Sequence, residues 1–163
     1  MLLVTLGITL VVIVIHLALL KKRSARNVIE LILLYVLVIT IGVGSFFAGL
    51  MHVFNGPETA QRIGWPAGSP FQTELGLADM AFGLVAILCL FIRGNFWLAA
   101  IIVNSFFLIG CMVVHIYSAV GSGNEAAWNI GPNIIFIDLI MPLLLIVLYV
   151  VFRKLDDRKG KNP

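Results

Sequence analysis

Five side chains in this 163-residue sequence combine reactive chemistry with apolar surroundings: His52, Glu74, Asp79, His115 and Asp138. Each lies in, or at the end of, a long apolar run. An ionisable group is costly to hold there and marks a functional site by default. Imidazole and carboxylate together bind a divalent metal or relay protons to and from a ligand such as a quinone head group. His52, His115 and Glu74 form the candidate metal set, although no His-x-x-x-His or Glu-x-x-His spacing accompanies them. His52 and His115, on different helices at similar depth, also qualify as axial haem ligands. No nucleophile–base–acid set of the kind a hydrolase needs is visible.

The elements that must position these residues are membrane spans. The sequence is 61% hydrophobic and 12% charged, against roughly 45–50% and 25% in an ordinary soluble domain. Repeated apolar runs of about 18 residues or more predict an all-α integral membrane protein with five transmembrane helices. They cover residues 2–20, 28–54, 71–92, 96–119 and 133–152. The first lacks a basic stretch before it and a cleavage site after it, so it reads as a retained span. Residues 1–26 then form an N-terminal span with a basic loop, residues 27–153 a four-helix membrane bundle with an outer loop at 55–70, and residues 154–163 a charged tail.

Lys21, Lys22, Arg23 and Arg26 follow the first span, Arg93 sits in the turn after the third, and Arg153, Lys154, Arg158, Lys159 and Lys161 lie in the tail. Ten of the eleven basic residues thus share one side, with Arg62 opposite. The positive-inside rule predicts an outer N-terminus and a cytoplasmic C-terminus in a multi-pass protein of the cell (inner) membrane. The net charge of +3 is explained by topology and does not point to nucleic acid. Cys89 and Cys111 fall inside apolar runs and read as small buried hydrophobes.

This topology gathers the chemistry into one leaflet. At ~1.5 Å rise per residue, Asp79 and Asp138 lie roughly 8–12 Å below the outer boundary, with His52 and Glu74 nearer the surface. Residues at i, i+3, i+7 and i+10 share a helical face. In span two that face reads Gly42, Ser45, Gly49, His52; in span three it reads Gly76, Asp79, Gly83, Ala86. Asn104, Cys111 and His115 align in span four. Small residues let membrane helices approach closely, so spans two to five should enclose a polar outer interior, with span one peripheral. Asp79 belongs to that interior and Glu74 to its mouth.

Plainer roles compete at each position. A histidine at a helix end is often simply hydrogen-bonded, and Glu74 complements a helix dipole. Asn104 and Asn129 suit inter-helix bonding, and Asn133 suits an N-cap. Trp65, Trp97, Trp128 and Tyr117 suit interfacial anchoring. Asp79 and Asp138 need a partner at their depth; Arg62 and the two histidines are the nearby cationic candidates.

The run Gly64-Trp65-Pro66, Phe71, Glu74-Leu75-Gly76, Gly83 and the short basic turn at Arg93 resembles the DoxX-like group of small four-helix membrane proteins. The Trp-Pro-x-Gly-Ser-Pro-Phe-Gln loop is similar to that of an uncharacterised bacterial and archaeal family of integral membrane proteins. The resemblance spans residues 49–142. It implies a DoxX-like bundle for spans two to five and a redox accessory role, linked in some members to quinone, with Glu74 and Gly83 at the family's positions. The chain departs by its extra N-terminal span and by lacking an outward-facing cysteine pair.

Three functions are therefore expected to compete. One is redox- or quinone-linked chemistry, or ligand and metal binding, at an outward-facing pocket of His52, Glu74, Asp79, His115 and Asp138, with Trp65, Asn104, Asn129 and Asn133 as secondary candidates. Another is a small proton- or cation-coupled transporter or channel using Asp79 and Asp138. The third is a non-catalytic accessory subunit, either in a homo-oligomer or in a larger membrane complex. Beyond the lipid bilayer, no partner is specified.

Overall fold

The computed structural model describes residues 2–21 and 23–161. Lys22 of the first basic loop and Asn162 and Pro163 of the tail lie outside the described residues. Among the described residues the chain is helical and contains no strand. Helix α1 is Leu2–Leu19. Helix α2, Ala25–Phe54, is the first of four helices long and apolar enough to cross a membrane. Helices α3 (Gly56–Ile63), α4 (Phe71–Leu88) and α5 (Asn95–Ser122) follow. The short α6 (Ala127–Ile130) and α7 (Pro132–Ile135) lead through a π-helical turn, Phe136–Ile140, into α8 (Met141–Lys161). With α2, α4 and α5, the run Ala127–Asp157 completes the four. Leu3–Leu19 is apolar but shorter. Large apolar side chains such as Phe106, Val113, Leu143 and Val147 are exposed around the bundle, as a lipid-facing surface requires.

The closest packing joins α2 to α4. A Cβ added at Gly83 would sit 2.6 Å from the Phe46 nitrogen and 2.7 Å from the Gly42 carbonyl oxygen. One added at Gly76 would sit 2.6 Å from the Gly49 oxygen and 2.9 Å from His52 Cβ. The two small-residue faces read from the sequence therefore lie against each other, backbone to backbone. Helix α1 packs on α2 through buried Thr5 and Thr9, with Thr9 Oγ1 2.8 Å from Thr40 Oγ1. Thr40 belongs to a π-helical stretch of α2, Val36–Val43.

One end of the bundle is drawn together by charge. Glu30 accepts from Arg26 at 2.7 Å and from Arg93 at 2.8 Å, while Arg26 also reaches Asp156 at 2.6 Å. The start of α2, the α4–α5 turn and the tail thus meet at one end of the bundle. Next to this end lies an apolar core that includes Leu33, Leu37, Trp97, Ile101, Met141 and Leu145.

Several local expectations change. The segment at 55–70, expected to be a loop, contains α3. Pro57 sits in its first turn, Glu58 pairs with Arg62 four residues on, and Thr59, Ala60 and Ile63 are buried. Gly64 closes it at φ 78°, a left-handed conformation that suits glycine. Helix α4 ends at Leu88 rather than near residue 92. Trp97 is not an interfacial anchor: it is 2% exposed, and its indole N–H donates to the Cys89 carbonyl at 2.9 Å, holding that helix end. Asn133 is not the N-cap of the last span. Gly131 takes that position, because Pro132 is already set for the first helical turn.

Substituting Gly83→Ala should therefore destabilise the detergent-solubilised protein by about 1–3 kcal/mol of overpacking, read as a lower thermal midpoint. Gly110→Ala, where nothing lies within 4 Å of the added carbon, should leave it unchanged or slightly raised.

Candidate functional site

The end of the bundle opposite Glu30 is polar. His52, near the end of α2, faces Asp79 of α4, with Nε2 3.9 Å from Oδ2. His115 of α5 faces Asp138 of the π-helical turn, with Nε2 3.7 Å from Oδ2. Asp79, His115 and Asp138 are buried, and the His52 side chain is 13% exposed. Both pairs lie at this end of the bundle, bridged by Trp65, which stacks on His115 and packs 6.0 Å from Phe71, the neighbour of Gln72.

Each histidine is anchored through its other nitrogen. His52 Nδ1 lies 2.7 Å from Gln72 Oε1, and His115 Nδ1 lies 2.9 Å from Asn129 Oδ1. The Asn129 orientation is set by its own donors, since its amide nitrogen donates to the His115 carbonyl at 3.2 Å and the Asn124 carbonyl at 2.8 Å. Its oxygen must then accept from His115, which puts a proton on His115 Nδ1. Gln72, as placed, asks the same of His52. Both Nε2 atoms are thereby left to face carboxylates. A bare Nε2 and a carboxylate are two acceptors and repel, so each pair is favourable when it holds one further proton. On the ring, that proton makes an ion pair; on the acid, it leaves both groups neutral.

Local structure explains the placement. Gln72, Gly76 and Asp79 follow at i, i+4 and i+7 on α4, so the close approach at Gly76 brings Gln72 and Asp79 up to His52. Asp138 sits where the helix widens to i+5 bonding, Met141 N donating to the Phe136 carbonyl. Pro142 has no N–H to give the Asp138 carbonyl, which favours that departure from α-helix. Over His115 lies the Trp65 ring, stacked at 5.3 Å and 17°, with its N–H donating to Ser118 Oγ at 3.1 Å. Asn124 ties the same loop down, donating to the Ile63 carbonyl at 2.8 Å.

Of the residues expected at the site, His52, Asp79, His115, Asp138, Asn129 and Trp65 are brought together. Asn104 bonds the carbonyls of Ala100 and Phe82 and serves helix packing. Asn133 is exposed. Glu74 is exposed too, and no ion pair or hydrogen bond among the described residues joins its side chain to a histidine. The proposed metal set of His52, His115 and Glu74 therefore does not assemble; among the described residues no three His, Cys, Asp or Glu side chains are placed to hold a metal ion. Arg62 is not the partner of the buried acids, being engaged by Glu58 and stacked on Trp128 at 4.9 Å. Gln72 and Asn124 were missed. Gln72 was findable, since it continues the Gly76–Asp79 face by one turn, whereas Glu74 attracted attention by its charge.

A helical membrane-type bundle with two buried, amide-anchored His–Asp pairs is the class that fold and site define. The chain belongs to the family described as DUF6790, a family of unknown function, whose model matches residues 1–158. No curated protein and no solved structure matches it.

Replacing Asn129 by Leu should cost about 1–3 kcal/mol, the usual penalty for buried polar groups left unpaired. It should also release the His115 ring from a single tautomer, seen as a change in its ring ¹⁵N shifts. Asn133→Leu should alter neither.

Proposed function

We propose that this protein is a membrane-embedded proton-exchanging site that serves a ligand docking at the outer mouth of the bundle. The carrying observation is the duplicated arrangement in which each histidine is held at Nδ1 by an amide and turned at Nε2 toward a buried carboxylate. A proton entering either pair moves between ring and carboxyl with little rearrangement, since the imidazole is already oriented. The redox- or quinone-linked role belongs to this reading, with protons delivered to or taken from the ligand as its electron count changes. The DoxX-like likeness read from Gly64-Trp65-Pro66, Glu74 and Gly83 belongs to the same proposal, and the loop bears on the site because Trp65 stacks on His115 and Gln72 bonds His52.

The five-span topology, with N-terminus outside and C-terminus cytoplasmic in the cell membrane, is part of the same proposal. It is supported by the apolar character of α1 and by the junction of the basic segments at the Glu30 end. The apolar core between the site and that end favours a one-sided site over a channel, because burying a proton's charge among apolar side chains is costly. Assembly as a homo-oligomer or within a larger membrane complex is compatible with the exposed apolar faces.

Selectively ¹⁵N-histidine-labelled protein in lipid nanodiscs provides the test. His52 and His115 should both titrate. Asp79→Asn should change chiefly the His52 profile and Asp138→Asn chiefly that of His115. Histidine signals indifferent to pH, or to both substitutions, would remove the basis of the proposal. Rapid proton flux through reconstituted liposomes would favour the channel instead.

A further inference from the structure

The two anchoring amides differ in one respect. Both hydrogens of the Asn129 amide are engaged, by the carbonyls of His115 and Asn124. Gln72 is as deeply placed, only 5% exposed, and its oxygen is engaged by His52. Its NH2 group, however, has no acceptor among the described residues, and it is not one of the fully enclosed unpartnered atoms. Gln72 lines two open clefts on the outer face. One is a depression of about 290 Å³ walled by Trp65, Pro66, Ser69 and Phe71 as well as Gln72; the other lies beside Phe54 and Pro57. Gln72 thus gives its acceptor to a histidine and borders an open cleft with its donors uncommitted among the described residues.

The lining defines what fits the depression. Trp65, Pro66 and Phe71 supply apolar and aromatic walls, with the two rings 6.0 Å apart. Among the described residues no charged side chain lines it. Its polar groups are the Gln72 NH2 and Ser69, whose oxygen already accepts from the Phe71 N–H at 3.1 Å, leaving its hydroxyl hydrogen to donate. The cleft therefore offers hydrogen-bond donors in an uncharged, apolar frame.

We propose that this depression binds a neutral, apolar molecule carrying a carbonyl-type hydrogen-bond acceptor, and that Gln72 bridges that acceptor to His52. The inference deepens the proton-exchange reading, on which it rests for the role of His52. A carbonyl taking the Gln72 N–H holds the amide oxygen against His52 Nδ1 and so keeps Nε2 directed at Asp79. Gln72 is then a positioning residue that makes the His52–Asp79 pair responsive to the ligand. His115–Asp138, behind the fully bonded Asn129, is indifferent to it.

The probes are acetophenone, an apolar ring with a carbonyl, and ethylbenzene, a comparable hydrocarbon without one. Each is titrated into the full chain, ¹⁵N-labelled at histidine, in nanodiscs. Acetophenone should shift the His52 ring signals saturably and leave those of His115 and His16 in place, while ethylbenzene should not. Gln72→Met should abolish the response with the His115 signals unchanged. Should that variant fail to fold, Gln72→Asn carries the comparison. Its amide falls one methylene short of His52, and the response should be lost or strongly weakened. An unsaturable response, an equal response to ethylbenzene, or a full response in either variant would overturn the inference. Histidines that titrate normally but ignore acetophenone would overturn the inference alone. A saturable, Gln72-dependent response on histidines that do not titrate would uphold the cleft and overturn the proton reading.

Discussion

The close approach of α2 and α4 is the constraint on which the rest of the structure depends. At Gly76 and Gly83 the two backbones come within the space a single methyl group would occupy. Two apolar helices in lipid gain nothing from hydrophobic exclusion, so van der Waals contact and polar contacts must hold them. Four glycines, Gly42, Gly49, Gly76 and Gly83, provide that contact along one seam. His52, at the end of the seam, is carried onto Gln72 and Asp79 by the same register that packs the helices. Fold and site are one piece of geometry here, and a change of register would undo both.

The bundle divides its length between two kinds of interior. Near Glu30 it is filled by apolar side chains around Trp97 and Leu37; near His52 and His115 it is filled by imidazoles, carboxylates and amides. Buried ionisable groups persist when paired and hydrogen-bonded, and His52 and His115 each have an aspartate on one ring nitrogen's side and an amide on the other's. The polar half is covered by the chain itself. Trp65 lies on His115, and Asn124 fixes the strand of loop beneath it.

Much of this was legible in the sequence. The spacing of Gly42, Gly49 and His52 against Gly76, Asp79 and Gly83 identified the two faces that meet, because helical periodicity is local. The convergence of His52, Asp79, His115 and Asp138 followed from depth, which span boundaries fix to within a turn. What was hidden depended on contacts between segments distant in the chain. Trp97 resembles an interfacial aromatic until the Cys89 carbonyl is found beneath its indole. Asn124, in a glycine-rich loop, shows no periodicity that would connect it to Ile63. Glu74 illustrates the opposite error. Charge made it conspicuous, yet its position two residues past Gln72 turns it away from the face that carries the site. The pairing of each acid with its histidine also lay beyond periodicity, since it depends on how helices rotate about one another.

Glu30 has a consequence for how the molecule is completed. Its carboxylate is shared by Arg26 and Arg93, and Arg26 reaches on to Asp156. These four residues are spread over nearly the whole sequence, and a chain made from its N-terminus yields Arg26 and Glu30 early, Arg93 midway and Asp156 almost last. The latch at the basic end therefore closes in the order of synthesis, and its last contact forms only after α8 has been made. Until then Arg26 has one carboxylate to share with Arg93, and the end of the bundle opposite the histidines is held by two helices and a turn.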